Sequence, residues 1–267
     1  MKIQTLAILG CGNIGSSIAG GFTNSGIKSA NISVTKRKLS TLEKFENEGF
    51  LVCTNKDAVK NSNIIILAVG PSQILSLLDE ISPYLNQNHI LISLVSGVSI
   101  REIQNKIGTK IPIILAMPNT AAALCESMTC LSTIEKFNNE LETSKILFNR
   151  IGKTLIIDEV QMASATALGA CGVAFFLRAI RAASQGGIEI GFHSDEAFTI
   201  AAQTARGAAT LLLNDSSHPE AEIDKVTTPM GATISGLNEM EHQGFSSAMI
   251  KGITVSTKKV TQLFNKK

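Results

Sequence analysis

The amino-acid sequence predicts an α/β protein, a doubly wound parallel sheet over residues 1–158 followed by an all-helical domain over residues 159–267. Three features lead there. Short apolar runs rich in Ile, Val and Leu alternate with amphipathic stretches through the first part, a glycine-rich turn separates the first run from the first amphipathic stretch, and after Asp158 the apolar runs stop. Runs without polar–apolar alternation suit strands covered on both faces, as in a parallel sheet flanked by helices.

Taken in order, the first strand is "IQTLAIL" (3–9), which leads into "GCGNIG" and an amphipathic stretch at 14–25. Further strands are expected at "NISVT" (31–35), "NIIILAV" (63–69), "HILISLV" (89–95), "IPIILA" (111–116) and "KTLIID" (153–158), with helical patterns at 38–48, 72–81 and 139–151. From Gln161 onwards Ala and Gly replace the Val and Ile runs. Helices are expected at about 161–189, 195–213, 219–225, 233–243 and 246–264, with breaks at "GFHS", "NDSSHP", "TTPMG" and "HQGF".

Composition narrows the function. The chain has 267 residues and a formal charge of +2, with one Tyr and no Trp, so it offers neither a polyanion-binding surface nor a base-stacking platform; no nucleic-acid partner is expected. Cys11, Cys53, Cys125, Cys130 and Cys171 are scattered, without a CxxC pair, and read as incidental thiols of a reducing, cytoplasmic compartment. Cys125 and Cys130 have no His close by in sequence, so no metal is expected. The N-terminal apolar run is too short for a signal segment and reads as a strand. The uncharged run Met162 to Leu177, 16 residues ending at Arg178, falls short of a membrane span and reads as a helix buried between protein surfaces.

The chemistry begins at the turn. Gly10, Cys11, Gly12, Asn13, Ile14 and Gly15 form a GxGxxG pattern between the first strand and the first helix, the context in which such glycines let a dinucleotide pyrophosphate approach the helix N-terminus. The residue that reads the adenosine ribose comes at the end of the next strand. An NAD enzyme usually carries an acid there, whereas this chain has Thr35, Lys36 and Arg37, a hydroxyl and two cations that suit a 2′-phosphate. NADP is therefore favoured, with NAD as the alternative. The four histidines, His89, His193, His218 and His242, form no acid–base dyad in sequence. A substrate such as an iminium ion, which already carries its proton, fits a protein that supplies orientation and a cofactor that supplies the hydride. Late in the chain "TTPMGAT", Thr227 to Thr233, precedes a helix. Its free N–H groups and hydroxyls are open to two uses, an ordinary capped turn or a site for a carboxylate or phosphate.

With these segments in view, the chain resembles the pyrroline-5-carboxylate reductase family. The resemblance is carried by "GCGNIG", "AVGP" (68–71), "LVSGVSI" (94–100), "AMPNTAA" (116–122), "DEVQMASATALGACG" (158–172), "QTARGAATLL" (203–212) and "VTTPMGATISGLNEME" (226–241), in order along nearly the whole chain. It implies an N-terminal Rossmann domain, an all-α dimerisation domain, a homodimer or an oligomer of dimers, and NADPH-dependent reduction of the cyclic imine 1-pyrroline-5-carboxylate to L-proline. The implied carboxylate site is Thr228, Gly231, Ala232 and Thr233, with Thr233 also near the ring nitrogen. The implied coenzyme residues add Asn55 near the adenosine ribose, Ala68, Val69 and Pro71 along the groove, and Val95, Ser96, Gly97 and Asn119 toward the nicotinamide.

The chain departs from the family pattern at Gly70, where Lys is usual, at Ala121, where Pro is usual, at "GACGV" (169–173) and at Met230, where the family has a second Gly. Other readings of the same residues are a diverged relative acting on another imine or a keto acid, and a non-catalytic NADP-binding regulator. β-Hydroxy-acid reductases usually need a Lys early in the second domain, and none occurs between Gln161 and Gly191.

Overall fold

The fold is that of a computed structural model, which describes residues 5–215 and 217–264. Two compact units result, one comprising the residues up to Cys171 together with those from Ser256 on, the other Gly172–Val255.

The first unit is built on β1 (Leu6–Leu9), β2 (Ile32–Thr35), β3 (Leu51–Val52), β4 (Ile64–Leu67), β5 (Ile90–Ser93), β6 (Ile113–Met117), β7 (Ser127–Ser132) and β8 (Gly152–Ile156). They form one sheet in the order β3-β2-β1-β4-β5-β6-β7-β8, parallel throughout except between β6 and β7. The helices of this unit are α1 (Asn13–Asn24), α2 (Glu43–Asn47), α3 (Asn55–Lys60), α4 (Ile74–Ile81), α5 (Ile100–Ile107), α6 (Asn138–Phe148) and α7 (Met162–Ala165). The strand order turns outward in both directions from the β1–β4 pair, which pairs Leu6 with Ile64 and Leu9 with Leu67. That is the switch point at which open α/β sheets form a crevice beyond the strand carboxyl ends.

The absence of alternation in the strands has the expected cause. Leu6 and Ile8 pack on one face with Ile18, Phe22 and Phe148, while Ala7 and Leu9 pack on the other with Leu67, Leu77 and Leu78. Phe22 and Phe148 meet edge to face at 6.0 Å. Each such side chain removed from water contributes about 1.5–3 kcal/mol.

Two strands lie outside the sequence expectation. β3 has only two residues. β7, "SMTCLS", carries no apolar run because its buried hydroxyls satisfy each other, Ser127 Oγ lying 3.1 Å from Thr129 Oγ1. A 3₁₀ segment, Thr120–Leu124, with left-handed Cys125 after it, turns the chain back, and so short a connection permits only antiparallel pairing of β6 with β7. Residues 3 and 4 of the first expected strand lie outside the described residues.

The second unit consists of α8 (Gly172–Glu189), α9 (Ser194–Asp215), α10 (Pro219–Val226), α11 (Ala232–His242) and the first part of α12 (Phe245–Phe264). α8 and α9 approach closely at Gly187, where a Cβ would lie 2.9 Å from that of Ala197. The expected 161–189 helix is interrupted: after α7, Thr166–Cys171 form a π-helical turn before α8 begins. Counting its 3₁₀, α- and π-helical turns together, helical structure extends over Glu159–Glu189, 31 residues, long and apolar enough by length and composition to cross a membrane. Helical structure thus covers the expected 161–189, and Arg178 ends only the uncharged 16-residue run, not the helix.

Candidate functional site

The glycine turn connects β1 to α1 at the switch point. Gly10 has φ +100°, a left-handed conformation, and a Cβ there would lie 2.6 Å from Val69 Cγ1; a Cβ on Gly15 would lie 2.5 Å from Gly10 O. Gly10 and Cys11 N–H both donate to Thr35 O, at 3.1 and 2.8 Å, which ties the turn to the end of β2. α1 starts at Gly12 with no side-chain cap and no acid in its first turn. Among the described residues the N–H groups of Asn13 and Ile14 have no acceptor, leaving a positive helix end open. Cys11 does not share in this. Its side chain is buried in the core, where burial pushes its thiol up to about 12, against a smaller opposing pull from Lys36. Its part in the turn is packing and a backbone bond.

A cleft of about 650 Å³ opens beside the turn and reaches the ends of β2 and β4. Gly10, Gly12, Thr35, Lys36, Arg37, Asn55, Ala68 and Val69 line it, so these expected coenzyme residues come together. Lys36 and Arg37 are exposed at its rim, and Thr35 is buried in its wall. Cys53 also lines it, its thiol raised by burial first, with Ser33 lowering it and Asp57 raising it.

The fourth wall is α4, which sequence reasoning missed. Gln73, Ser76, Leu77 and Glu80 line the cleft from one helix face, the i, i+3, i+4, i+7 spacing that would have marked them as a set. Gln73 accepts the Gly70 N–H at 3.1 Å, and a Cβ at Gly70 would meet its carboxamide at 3.4 Å, an ordinary contact. Glu80 accepts from Asn55 Nδ2 at 3.1 Å through both carboxylate oxygens, and Thr35 Oγ1 donates to Asn55 Oδ1 at 2.5 Å.

The remaining expected coenzyme residues do not line this cleft. Pro71 is exposed beyond β4. Val95, Ser96 and Gly97 follow β5, with Gly97 at φ +81° and Ser96 Oγ donating to Met117 Sδ at 3.9 Å. Asn119 follows β6 and its carboxamide is engaged: Oδ1 accepts from Ala121 N–H, and Nδ2 donates to Gly169 O at 3.0 Å. Gly169 lies in the π-helical turn, a geometry that widens the helix and releases carbonyls for such partners.

In the second unit, Thr228 to Gly231 form a tight turn in which Gly231 N–H donates to Thr228 O at 2.9 Å. Pro229 precedes Met230 at φ +60°, the arrangement of a type II turn with methionine where glycine is usual. A Cβ on Gly231 would lie 2.5 Å from Thr228 Oγ1, which keeps that position glycine. The N–H of Gly231 is thus engaged within the turn, at the N-cap position of α11. α11 starts here with no side-chain cap, and the N–H groups of Ala232 and Thr233 point out of its first turn. The Met230 side chain is fully exposed.

Residues 159–263 match the model for pyrroline-5-carboxylate reductase dimerisation, and residues 5–97 match that for NADP oxidoreductase, coenzyme F420-dependent. The long apolar helix falls wholly within the dimerisation match. Pyrroline-5-carboxylate reductase 1 of Dictyostelium discoideum is 53% identical over 98% of this chain, which spans only 50% of that protein's length. Pyrroline-5-carboxylate reductase 2 of the same organism is 46% identical over 96% of this chain and 92% of its own length. The fold matches the crystal structure of Plasmodium falciparum pyrroline carboxylate reductase with NADP bound, with a TM-score of 0.89, 24% identity and 99% of both chains covered. This chain belongs to the pyrroline-5-carboxylate reductase family.

Proposed function

We propose that the protein reduces 1-pyrroline-5-carboxylate to L-proline with NADPH, an oxidoreductase step of proline biosynthesis. The observation that carries the coenzyme assignment is the cleft at the switch point: an uncapped helix start faces it, Lys36 and Arg37 stand at its rim, and β2 ends without an acid. These groups fit a dinucleotide with a 2′-phosphate, with Asn13 and Ile14 N–H on the pyrophosphate and the two cations on the phosphate. NADPH, when bound, supplies a hydride for the imine carbon.

The substrate is a small carboxylate. Ala232 and Thr233 N–H, with the Thr228 hydroxyl, hold the carboxylate at the start of α11, where the helix end adds about 0.3–1 kcal/mol. The Thr233 hydroxyl accepts from the ring N–H of the cationic imine and orients it, and that imine already bears the proton that the product amine keeps, so no strong general base is required. Val95, Ser96 and Gly97 stand toward the nicotinamide, while Asn119 acts there by bracing the π-helical turn. The functional boundary is placed between residues 158 and 159.

The protein works as a homodimer or an assembly of dimers in the cytoplasm. Phe176, Leu177, Phe198, Ile200, Leu211 and Leu213 are all exposed on α8 and α9 of a single chain, more apolar surface than a solvated helix pair carries. One assay separates the readings: NADPH oxidation with 1-pyrroline-5-carboxylate, with a keto acid, and with neither. Oxidation with the imine alone supports the proposal; turnover of the keto acid alone, or coenzyme binding without turnover, overturns it.

A further inference from the structure

We propose that Glu80 is a positioning residue of the adenosine-ribose subsite: through Asn55 it makes the Thr35 hydroxyl an acceptor for a ribose hydroxyl that NADPH and NADH share, and leaves the 2′-phosphate to Lys36 and Arg37. This rests on the coenzyme assignment above. It follows from hydrogen-bond polarity. A carboxylate only accepts, so the group of Asn55 that faces Glu80 at 3.1 Å is the amide Nδ2, and the amide orientation is settled. Oδ1 then faces Thr35, and since Oδ1 only accepts, the Thr35 proton is committed to it at 2.5 Å.

Thr35 Oγ1 keeps only lone pairs for the cleft. A ligand atom opposite it must be a donor. A ribose hydroxyl qualifies, whereas a phosphate dianion has only acceptors and is turned toward the cations at the rim. The two acids at the end of α4 divide their work accordingly, since neighbouring Asp79 is paired with Lys106 of α5 at 2.9 Å and only Glu80 faces the cleft.

The test is titration of coenzyme fluorescence with NADPH and with NADH, on the wild type, Glu80→Met, Glu80→Gln, Asn55→Ala and the double variant Glu80→Met/Asn55→Ala. Glu80→Met should weaken both coenzymes by the same factor, about three- to tenfold, because one oriented hydrogen bond to a shared hydroxyl is lost. Glu80→Gln still offers an acceptor to Asn55 Nδ2 and should restore binding. The double variant should bind no more weakly than Asn55→Ala alone, since both changes break one relay. The relay is refuted if Glu80→Met tightens NADPH alone, which would make Glu80 a charge on the phosphate, if it changes neither coenzyme, or if the two losses add. A wild type that binds neither coenzyme would instead refute the coenzyme assignment, and the relay with it.

Discussion

Met230→Gly should raise the thermal stability of the protein. Met230 holds φ +60° in the turn before α11, and its side chain is fully exposed in the single chain, so removing it forfeits no packing within the chain. A left-handed residue with a Cβ costs about 1–2 kcal/mol. Glycine relieves that cost, but the freer unfolded chain offsets about 0.5–1 kcal/mol of the relief. The net gain is about 0.5–1 kcal/mol, which for a chain of this size raises the unfolding midpoint by about 1–4 °C. Scanning calorimetry at one fixed protein concentration measures it, since association shifts the midpoint by mass action. Met230→Ala is the control: it trims the side chain but keeps the Cβ and the strain, so its midpoint should stay close to wild type. A glycine variant that melts at or below the wild-type temperature, or an alanine variant that gains as much as glycine, would show that the backbone at Met230 stores no strain.

Four further outcomes are expected. Replacing Lys36 and Arg37 together with Ala should raise the KM for NADPH about tenfold or more and that for NADH much less, as two charge-assisted bonds are lost; equal shifts would make the pair ordinary solvated surface. Gly10→Ala should abolish measurable NADPH binding, because its Cβ meets Val69 Cγ1 at 2.6 Å and Ala68 O at 2.9 Å and φ +100° is unfavourable to it; coenzyme fluorescence that survives would contradict the turn's role. Thr233→Val should lower kcat/KM by about 1–3 kcal/mol while leaving NADPH affinity intact, and an unchanged kcat/KM in a folded variant would remove Thr233 from the chemistry. His89 is buried, with Nδ1 accepting Asn86 N–H at 3.1 Å, and burial lowers its pKa from 6.5. The unfolded chain therefore takes up that proton first, so stability present above pH 6.5 is lost as the pH falls below it; His89→Asn, which keeps an acceptor but cannot ionise, should flatten that acid limb in urea titrations.

Much of the fold was legible because the sheet is buried on both faces. β1, β4 and β6 are apolar at every position, and β2 and β5 differ only by the buried hydroxyls of Ser33, Thr35 and Ser93, so these runs stand out in a sequence. β7 hides because it buries hydroxyls that bond one another, a tertiary fact with no periodic signal. α5 had a local sign that strand-spotting passes over, the capping box of Ser99 and Glu102. At the site, the glycine turn and the basic end of β2 were legible because their chemistry is contiguous in sequence. The α4 wall was not, since Gln73 and Glu80 look like ordinary exposed helix residues until the fold sets them against Asn55. The commitment of Gly231 N–H to its own turn, the π-helical turn braced by Asn119 and the left-handed backbone of Met230 depend on backbone geometry that residue identity alone does not specify.

The most direct measurement of the central claim follows the hydride itself. NADPH deuterated at the transferable position is mixed with 1-pyrroline-5-carboxylate and the protein, and the product is analysed by mass spectrometry. L-proline carrying one deuterium at the former imine carbon, in equal amount to the NADP formed, is the expected result. Coenzyme oxidation without labelled proline, or proline formed without the label, would contradict the assignment of this chain as an NADPH-dependent imine reductase.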